Sequence, residues 1–448
     1  MPYFSVGIGK FSIDKKSFSE NFLFHPNTIQ FGPQPKRTCF TKNHFQTMKR
    51  RNWLKQAGAL TLGATAVPSL LQRAAASPAA REELYLALSH EFRAAQAVDA
   101  LPPMAIKARL SSNENPWGLS PKTRQAVLAS LDQANRYGGR AQAELYKVIA
   151  EKEGIPLPTG GDGNFRGPSN SMIKLGCGSS ELLSASMMHF GQKGKILMAD
   201  PCYISGGDER YGIGADKVKL TADFQYDLDA MAAKADPAIH SLVYICNPNN
   251  PTGNILPADK LRKFIDEVSP KVPVLVDEAY IDYAKNPVAE CMVDKVKEGK
   301  NVIILRTMSK LYAFAGMRLG YALAKPEFLS AIGKYTMNGF GLSVPTIMGA
   351  ITALQDKDNQ KMVIEKTAES KAYTVDFLKR AGYTPIPSFA NFMLFPIKMK
   401  GAELTSKLME EGVAVRHWFF DGQPWCRVSI GTMDEMKAFT DAFAKVAV

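Results

Sequence analysis

The chain runs Val302-Ile303-Ile304-Leu305-Arg306-Thr307-Met308-Ser309-Lys310 where an apolar segment meets a polar one. A short and continuous apolar run of this kind is typical of a buried strand in a parallel sheet. A lysine just beyond such a strand, beside hydroxyl groups and close to Arg318, suits a covalently bound cofactor that carries a phosphate. Most lysines are solvated surface residues, so this segment alone leaves both interpretations of Lys310 open.

Similar apolar runs precede this segment and alternate with helical stretches. The alternation predicts an α/β domain with a mainly parallel sheet, which binds ligands at the carboxyl ends of its strands. Beyond about residue 326 the pattern changes and predicts a smaller α+β region, with helices at 326–336 and 345–380, strands at 391–395 and 427–430, and a last helix from about Asp434. The predicted strands of the α/β domain cover 172–175, 196–199, 218–220, 242–246, 272–276 and 302–305.

The positive charge of the chain is concentrated near its beginning. The net charge is +12, but residues 1–76 contain eleven lysines or arginines and only two acids, so they carry +9 and leave +3 for the rest. A nucleic-acid-binding face is therefore not predicted. The six cysteines form neither a metal-binding spacing nor a redox pair, so we expect no metal site and no disulfide framework.

The first part of the chain is interpreted as a leader. Residues 1–47 lack periodicity, and we expect them to be disordered or untranslated. Residues 48–80 combine the basic start Arg50-Arg51-Asn52-Trp53-Leu54-Lys55 with an apolar stretch and a run of alanines, and they resemble a twin-arginine export signal. This predicts export to the periplasm. The alternative is a basic amphipathic helix on the body of the protein, and without export the protein would be cytoplasmic. The stretch is too short and too rich in small residues to predict a stable membrane span.

Two polar segments could hold the phosphate and the ring of a ligand. Gly176-Cys177-Gly178-Ser179-Ser180-Glu181 lies between a predicted strand and a helix, where backbone N–H groups and the hydroxyls of Ser179 and Ser180 can bind an anion. An ordinary capped turn would look the same. Tyr203 follows the next strand and could stack on a planar ring, or simply fill space in the core.

Two further segments could hold the polar edge of that ring. Asn250 lies in a stiff loop between two Asn-Pro steps, although a plain turn explains the loop equally well. Asp277 ends a buried strand, where a carboxylate is costly unless it has a partner such as a cationic ring nitrogen. Tyr280 could reach the phenolic oxygen of the same ring, while Asp277 could instead only cap a helix. Taken together, these groups match pyridoxal 5′-phosphate.

From about residue 105 to its end, the chain resembles the fold-type-I class I/II aminotransferases, which depend on pyridoxal phosphate, and most closely their histidinol-phosphate aminotransferase group. The resemblance rests on Ser112-Asn113-Glu114-Asn115-Pro116, Asn249-Asn250-Pro251-Thr252-Gly253, Val276-Asp277-Glu278-Ala279-Tyr280, Arg306-Thr307-Met308-Ser309-Lys310 and Gly316-Met317-Arg318-Leu319-Gly320. It implies an N-terminal arm at 81–140, a large cofactor-binding domain at 141–325 and a small domain at 326–448.

The resemblance also implies roles for individual residues. Lys310 forms the Schiff base and moves protons, Asp277 keeps the ring nitrogen protonated, Tyr280 and Asn250 contact the ring oxygen, and Tyr203 stacks on the ring. Arg427 binds the substrate carboxylate or an equivalent group, Arg416 corresponds to a phosphate-contacting position, and Trp117 stands where tyrosine or phenylalanine is usual. The phosphate is held by Ser179, Ser180, Thr307, Ser309 and Arg318, with Tyr137 reaching the phosphate of a neighbouring subunit in a homodimer.

The substrate is less well defined than the cofactor. Residues 417–421 are bulkier and more aromatic than the group usually shows, and export would be unusual for histidine biosynthesis. We therefore expect amino-group transfer between an amino acid or amine and a 2-oxo acid, with histidinol phosphate as one candidate donor. A decarboxylase or β-lyase on the same fold is the alternative within the cofactor class, and an exported binding protein with a degenerate site is the alternative outside it.

Overall fold

A computed structural model describes residues 106–157, 170–205 and 211–447. The predicted extension at 1–47, the signal segment at 48–80 and residues 81–105 of the predicted arm lie outside the described residues. Among the helices described, none is long and apolar enough to cross a membrane.

A seven-stranded sheet forms the centre of the described chain and confirms the predicted α/β class. Its strands lie in the order β2-β8-β7-β6-β5-β3-β4, and only β8 runs against the others. Every residue of β6 and β7 is buried, as expected of strands covered on both faces. The strands are β2 (Ile173–Gly176), β3 (Lys195–Asp200), β4 (Ala215–Lys219), β5 (His240–Cys246), β6 (Val274–Asp277), β7 (Val302–Thr307) and β8 (Gly320–Leu323).

A second, smaller sheet is antiparallel, in the order β11-β12-β9. It has its own hydrophobic core, which also includes Leu110 from the beginning of the described chain and Phe443 from its end. The strand β1 (Ala108–Arg109) pairs in parallel with β10 (Val413–Ala414), which brings the segment at 110–115 between the two sheets. The strands of the small sheet are β9 (Phe392–Pro396), β11 (Arg416–Phe420) and β12 (Gln423–Ser429).

The helices cover the large sheet and one side of the small one. The Ser120 hydroxyl caps the first helix by accepting from Thr123 N at 3.1 Å, as its place before a proline suggests. The helices are α1 (Pro121–Ala129), α2 (Gly139–Glu153), α3 (Ser179–Gly191), α4 (Leu228–Lys234), α5 (Ala258–Val268), α6 (Pro287–Glu290), α7 (Val293–Lys297), α8 (Pro326–Gly333), α9 (Val344–Gln355), α10 (Lys357–Arg380), α11 (Gly401–Glu410) and α12 (Met433–Ala447).

The single helix predicted over 345–380 is wrong, because α9 and α10 are separate. They are divided at Asp356, whose backbone is not helical and whose carboxylate accepts from Asn359 N at 3.5 Å. Aspartate competes in this way with the backbone ladder and favours the start of a new helix. The N-terminal half of this region, including Ile347 and Ala350, packs on the core of the large sheet.

Candidate active site

A cavity of about 270 Å³ lies at the carboxyl ends of the central strands. This is the edge at which a parallel sheet is expected to bind ligands. Eleven of the fourteen predicted site residues line it, namely Ser179, Ser180, Tyr203, Asp277, Tyr280, Thr307, Ser309, Lys310, Arg318, Arg416 and Arg427.

Lys310 is placed at the cavity by the turn that follows β7. Its Nζ donates to the carbonyl oxygen of Ser112 at 3.1 Å and lies 5.7 Å from the centroid of the Tyr280 ring. The amine is therefore held by a neutral acceptor and an aromatic face. Both contacts orient the group toward the cavity.

Asp277 supplies a buried carboxylate to the same cavity. Asp277 is the last residue of β6, and its Oδ2 accepts from the hydroxyl of Tyr244 at 3.2 Å. Burial raises the pKa of Asp277 to about 6, although Tyr244, the Ala279 N–H and Lys310 each lower it. A carboxylate in this setting is stabilised by any cation that enters beside it.

A second polar cluster at the cavity, which we call the anion cradle, consists of Gly178, Ser179 and Ser180 at the start of α3 together with Arg318. Gly178 has a positive φ of 80°, and the guanidinium of Arg318 occupies the place where a Cβ on this residue would lie. Arg318 Nη1 donates to Ala315 O at 2.8 Å and to Ser309 Oγ at 3.4 Å. The helix N-terminus, the two serines that begin α3 and this arginine together favour a phosphate.

Arg427 lies deep at the cavity and connects it to the small sheet. It donates to Asn250 Oδ1 and to the carbonyl oxygen of Ser111, both at 2.7 Å. Its guanidinium lies 5.4 Å from the ring centroid of Phe392 and 5.9 Å from that of Trp418. The arginine is thus oriented by two acceptors and two aromatic rings.

Three predicted residues are not on the cavity lining. Asn250 lies just behind it, where its Nδ2 donates to the Tyr280 hydroxyl at 3.5 Å. Tyr137 is 78% exposed and makes an edge-to-face contact with Phe340. Trp117 is partly buried against the large core. The structure gives the positions of the fourteen residues, and the roles predicted for all of them, including Tyr137 and Trp117, stay predictions.

Sequence reasoning missed several residues of this site. Ser112 contributes its backbone carbonyl, and because every residue has one, the sequence does not show which carbonyl accepts from Lys310. Asn113 belongs to the Ser112–Pro116 motif, which does not reveal that its side chain lines the cavity and donates to Tyr280 OH at 3.0 Å. Tyr244 lies inside an apolar strand run, where only the pairing of β5 with β6 reveals that it reaches Asp277.

The residues present fit the cofactor that the sequence predicts. The chain offers a buried carboxylate for a cationic ring nitrogen, a lysine for an aldehyde, and a helix N-terminus with hydroxyls and Arg318 for a phosphate. The cradle has no room for a side chain at Gly320, because a Cβ there would overlap the backbone nitrogen of Ser179.

Known proteins with related sequences and structures include several aminotransferases. The chain is 33% identical over 341 residues to the aromatic amino acid aminotransferase of Mycolicibacterium smegmatis, covering 76% of this chain and 89% of that one. It is 32% identical over 342 residues to the histidinol-phosphate aminotransferase of Moorella thermoacetica, covering 75% and 85%. The crystal structure of histidinol-phosphate aminotransferase from Sinorhizobium meliloti in complex with pyridoxal-5′-phosphate is 25% identical, with a TM-score of 0.67, and covers 80% of this chain and 94% of that chain.

The sequence profile of one family, described as Aminotransferase class I and II, matches residues 105–443. This range contains the cavity with all of its lining residues and both sheets. The chain belongs to the class I and II aminotransferases.

Proposed function

We propose that this aminotransferase takes its amino group from an amino acid or amine that carries an anionic group and passes it to a 2-oxo acid. One observation supports the choice of substrate. Arg416 and Arg427 face each other as register partners on β11 and β12, and both line the cavity. Guanidinium groups bind carboxylates and phosphates through paired hydrogen bonds, so two of them at one cavity favour anionic substrates.

The cofactor of the enzyme is pyridoxal 5′-phosphate. When bound, it supplies an electrophilic carbon and a ring that withdraws electrons from the α-carbon of the substrate. In our proposal Lys310 removes the proton from the α-carbon of the substrate and returns a proton later in the transfer. Asp277 keeps its charge next to the ring nitrogen, and Arg427 holds the anionic group of the substrate.

Paired donors test the proposal in a single half-reaction. Histidinol phosphate is compared with histidinol, and phenylalanine with phenethylamine, while absorbance follows the conversion of the cofactor from its aldehyde to its amine form. We expect the anionic member of at least one pair to react about 10- to 100-fold faster, because it gains charge-assisted hydrogen bonds. Equal rates within both pairs would contradict the role of the arginines.

Matched variants separate the two arginines. Arg427→Lys and Arg416→Lys keep the charge but lose the paired geometry. We expect Arg427→Lys to slow both anionic donors and Arg416→Lys to affect mainly the phosphate. Release of carbon dioxide without formation of the amine form would instead favour the decarboxylase alternative.

We also propose that the active enzyme is a homodimer with shared sites. Five large apolar side chains are exposed on α1, between α1 and α2, and after α8, and a subunit interface would cover them. Mixing Lys310→Ala protein with Tyr137→Ala protein should restore about a quarter of the activity, since half of the dimers then contain one intact site. Inactive mixtures that have exchanged subunits would refute site sharing. The exposed residues are Leu128, Leu131, Tyr137, Met337 and Phe340.

Export by the segment at 48–80 is a separate proposal, supported by the Arg50-Arg51 pair and the apolar stretch after it. Replacing both arginines by lysine keeps the charge and should abolish arrival in the periplasm if a twin-arginine route is used. Cell fractionation with wild type as the control decides between export and a cytoplasmic enzyme.

A further inference from the structure

Asn113 occupies a strained and fully enclosed position beside the cavity. It is 1% exposed and has a positive φ of 53°, which few residues other than glycine, asparagine and aspartate adopt readily. Its backbone carbonyl accepts from Asn391 Nδ2 at 3.0 Å. The main-chain conformation and contacts of Asn113 therefore fix its position independently of its side chain.

Ser429 determines which way the Asn113 amide points. The Asn113 N–H donates to Ser429 Oγ at 2.7 Å, and the Ser429 hydroxyl donates to Asn113 Oδ1 at 2.8 Å. A serine hydroxyl has one proton, and here it is used on the amide oxygen. The Asn113 Nδ2 must then face the opposite way, and it donates to the Tyr280 hydroxyl oxygen at 3.0 Å.

A second amide acts on the same phenol. Asn250 Nδ2 donates to the Tyr280 oxygen at 3.5 Å, and its own orientation is fixed because Arg427, which can only donate, binds Asn250 Oδ1. The Tyr280 oxygen thus accepts hydrogen bonds from two side-chain amides. The single phenolic proton is not needed for either amide contact, and because Tyr280 lines the cavity, an acceptor oxygen bound there can receive it.

We propose that Asn113 is a positioning residue that orients the hydroxyl proton of Tyr280 toward an acceptor oxygen of the bound cofactor. The inference rests on the proposed transamination, in which Tyr280 faces the cofactor. Ser429 acts one step further back, because it fixes the orientation of Asn113. A purely structural role for Asn113 would stabilise the turn but would leave the protonation of the bound cofactor unchanged.

The test is the pH midpoint of the absorbance change of the lysine-bound cofactor in the holoenzyme, measured without an amino donor. Asn113→Asp keeps the size and tolerates the positive φ, but its carboxylate only accepts, so the Tyr280 proton turns toward it. The cofactor oxygen then loses a donor, and the neighbouring nitrogen keeps its proton to higher pH. We expect the midpoint to rise by about one to two pH units.

Three further variants separate this effect from the added charge. Asn115→Asp introduces the same charge in the same turn, where Asn115 binds the Leu311 carbonyl rather than Tyr280, and should change the midpoint much less. In a Tyr280→Phe background, Asn113→Asp should have no further effect, whereas a direct effect of charge would persist. Ser429→Ala adds no charge and should raise the midpoint slightly by freeing the Asn113 amide to turn.

An unchanged midpoint in Asn113→Asp, or a shift that persists in the Tyr280→Phe background, would overturn the inference. Since this measurement uses no donor, its failure leaves the substrate proposal untouched. Equal half-reaction rates for anionic and neutral donors would refute the substrate proposal without affecting the midpoint.

Discussion

Replacing Arg306 by methionine should destabilise the cofactor-free protein by about 3–5 kcal/mol, the range for breaking a buried ion pair from one side. Arg306 Nε lies 3.0 Å from Glu278 Oε2, and Nη2 lies 3.5 Å from Glu153 Oε2. None of the three side chains is more than 5% exposed. Methionine fills a similar space but leaves both acids without this cation.

The pKa of Glu153 gives a second magnitude for the free energy that its charged contacts contribute to stability. Burial raises it, but Arg306 and Lys152 outweigh burial and lower it to about 2. A depression of roughly two to three units corresponds to about 3 kcal/mol of stability, which is present above the unfolded pKa and lost as the pH falls toward 2. Burial raises the pKa of Glu278 to about 7 despite Arg306, so Glu278 can take up a proton and limit the loss.

Urea unfolding near pH 7, followed by both circular dichroism and tryptophan fluorescence, measures the change and shows whether the transition is cooperative. Lys407→Met is the matched control, because its 2.9 Å ion pair with Glu403 is about half exposed on both sides. Such a surface pair contributes less than about 1 kcal/mol. If Arg306→Met costs no more than Lys407→Met, the reasoning about buried charge is refuted.

Three other predictions concern the cofactor site. Lys310→Ala should abolish any chromophore that borohydride reduces onto the protein, and its retention would mean that another amine reacts. Because the pKa of Asp277 is raised to about 6, its ionisation should lower the free energy of unfolding of the cofactor-free protein by about 3 kcal/mol at most as the pH rises from about 4 to 7. Unfolding measured over this pH range should show a smaller decrease in Asp277→Asn than in wild type. Gly320→Ala should weaken cofactor binding in equilibrium titrations, because its Cβ would overlap Ser179 N, whereas Gly316→Ala has open space and should bind normally.

The buried parallel strands and the residues at their ends could be predicted from sequence because both signals are local. The apolar run at 302–305 extends as β7 to Thr307, and Asp277 and Thr307 are the last residues of adjacent strands. Parallel strands bring such ends together without further information. The predicted class of fold and the expected location of the cofactor site follow from this property.

Residues that act across long distances could not be predicted in this way. Arg306 and Glu278 look like surface charges in sequence and are buried only because they point away from the cavity toward Glu153 on α2. The role of Asn113 depends on Ser429, 316 positions later. The short strands β8, β10 and β11 also escaped prediction, since strands of this kind are stabilised by their partners rather than by their own pattern.

The pairing of β1 with β10 has a consequence for the order in which the protein is completed during synthesis. Residues 108–109 leave the ribosome about 300 residues before their partners at 413–414, and closing so long a loop is a slow, late step. Leu110 then receives its hydrogen bond from Ser429 N at 2.9 Å, which sets Asn113 beside Tyr280. A truncation that removes β12 would therefore impair cofactor binding at a site formed mainly by earlier residues, and a nascent chain can take up its cofactor in the final geometry only after residue 429 has left the ribosome.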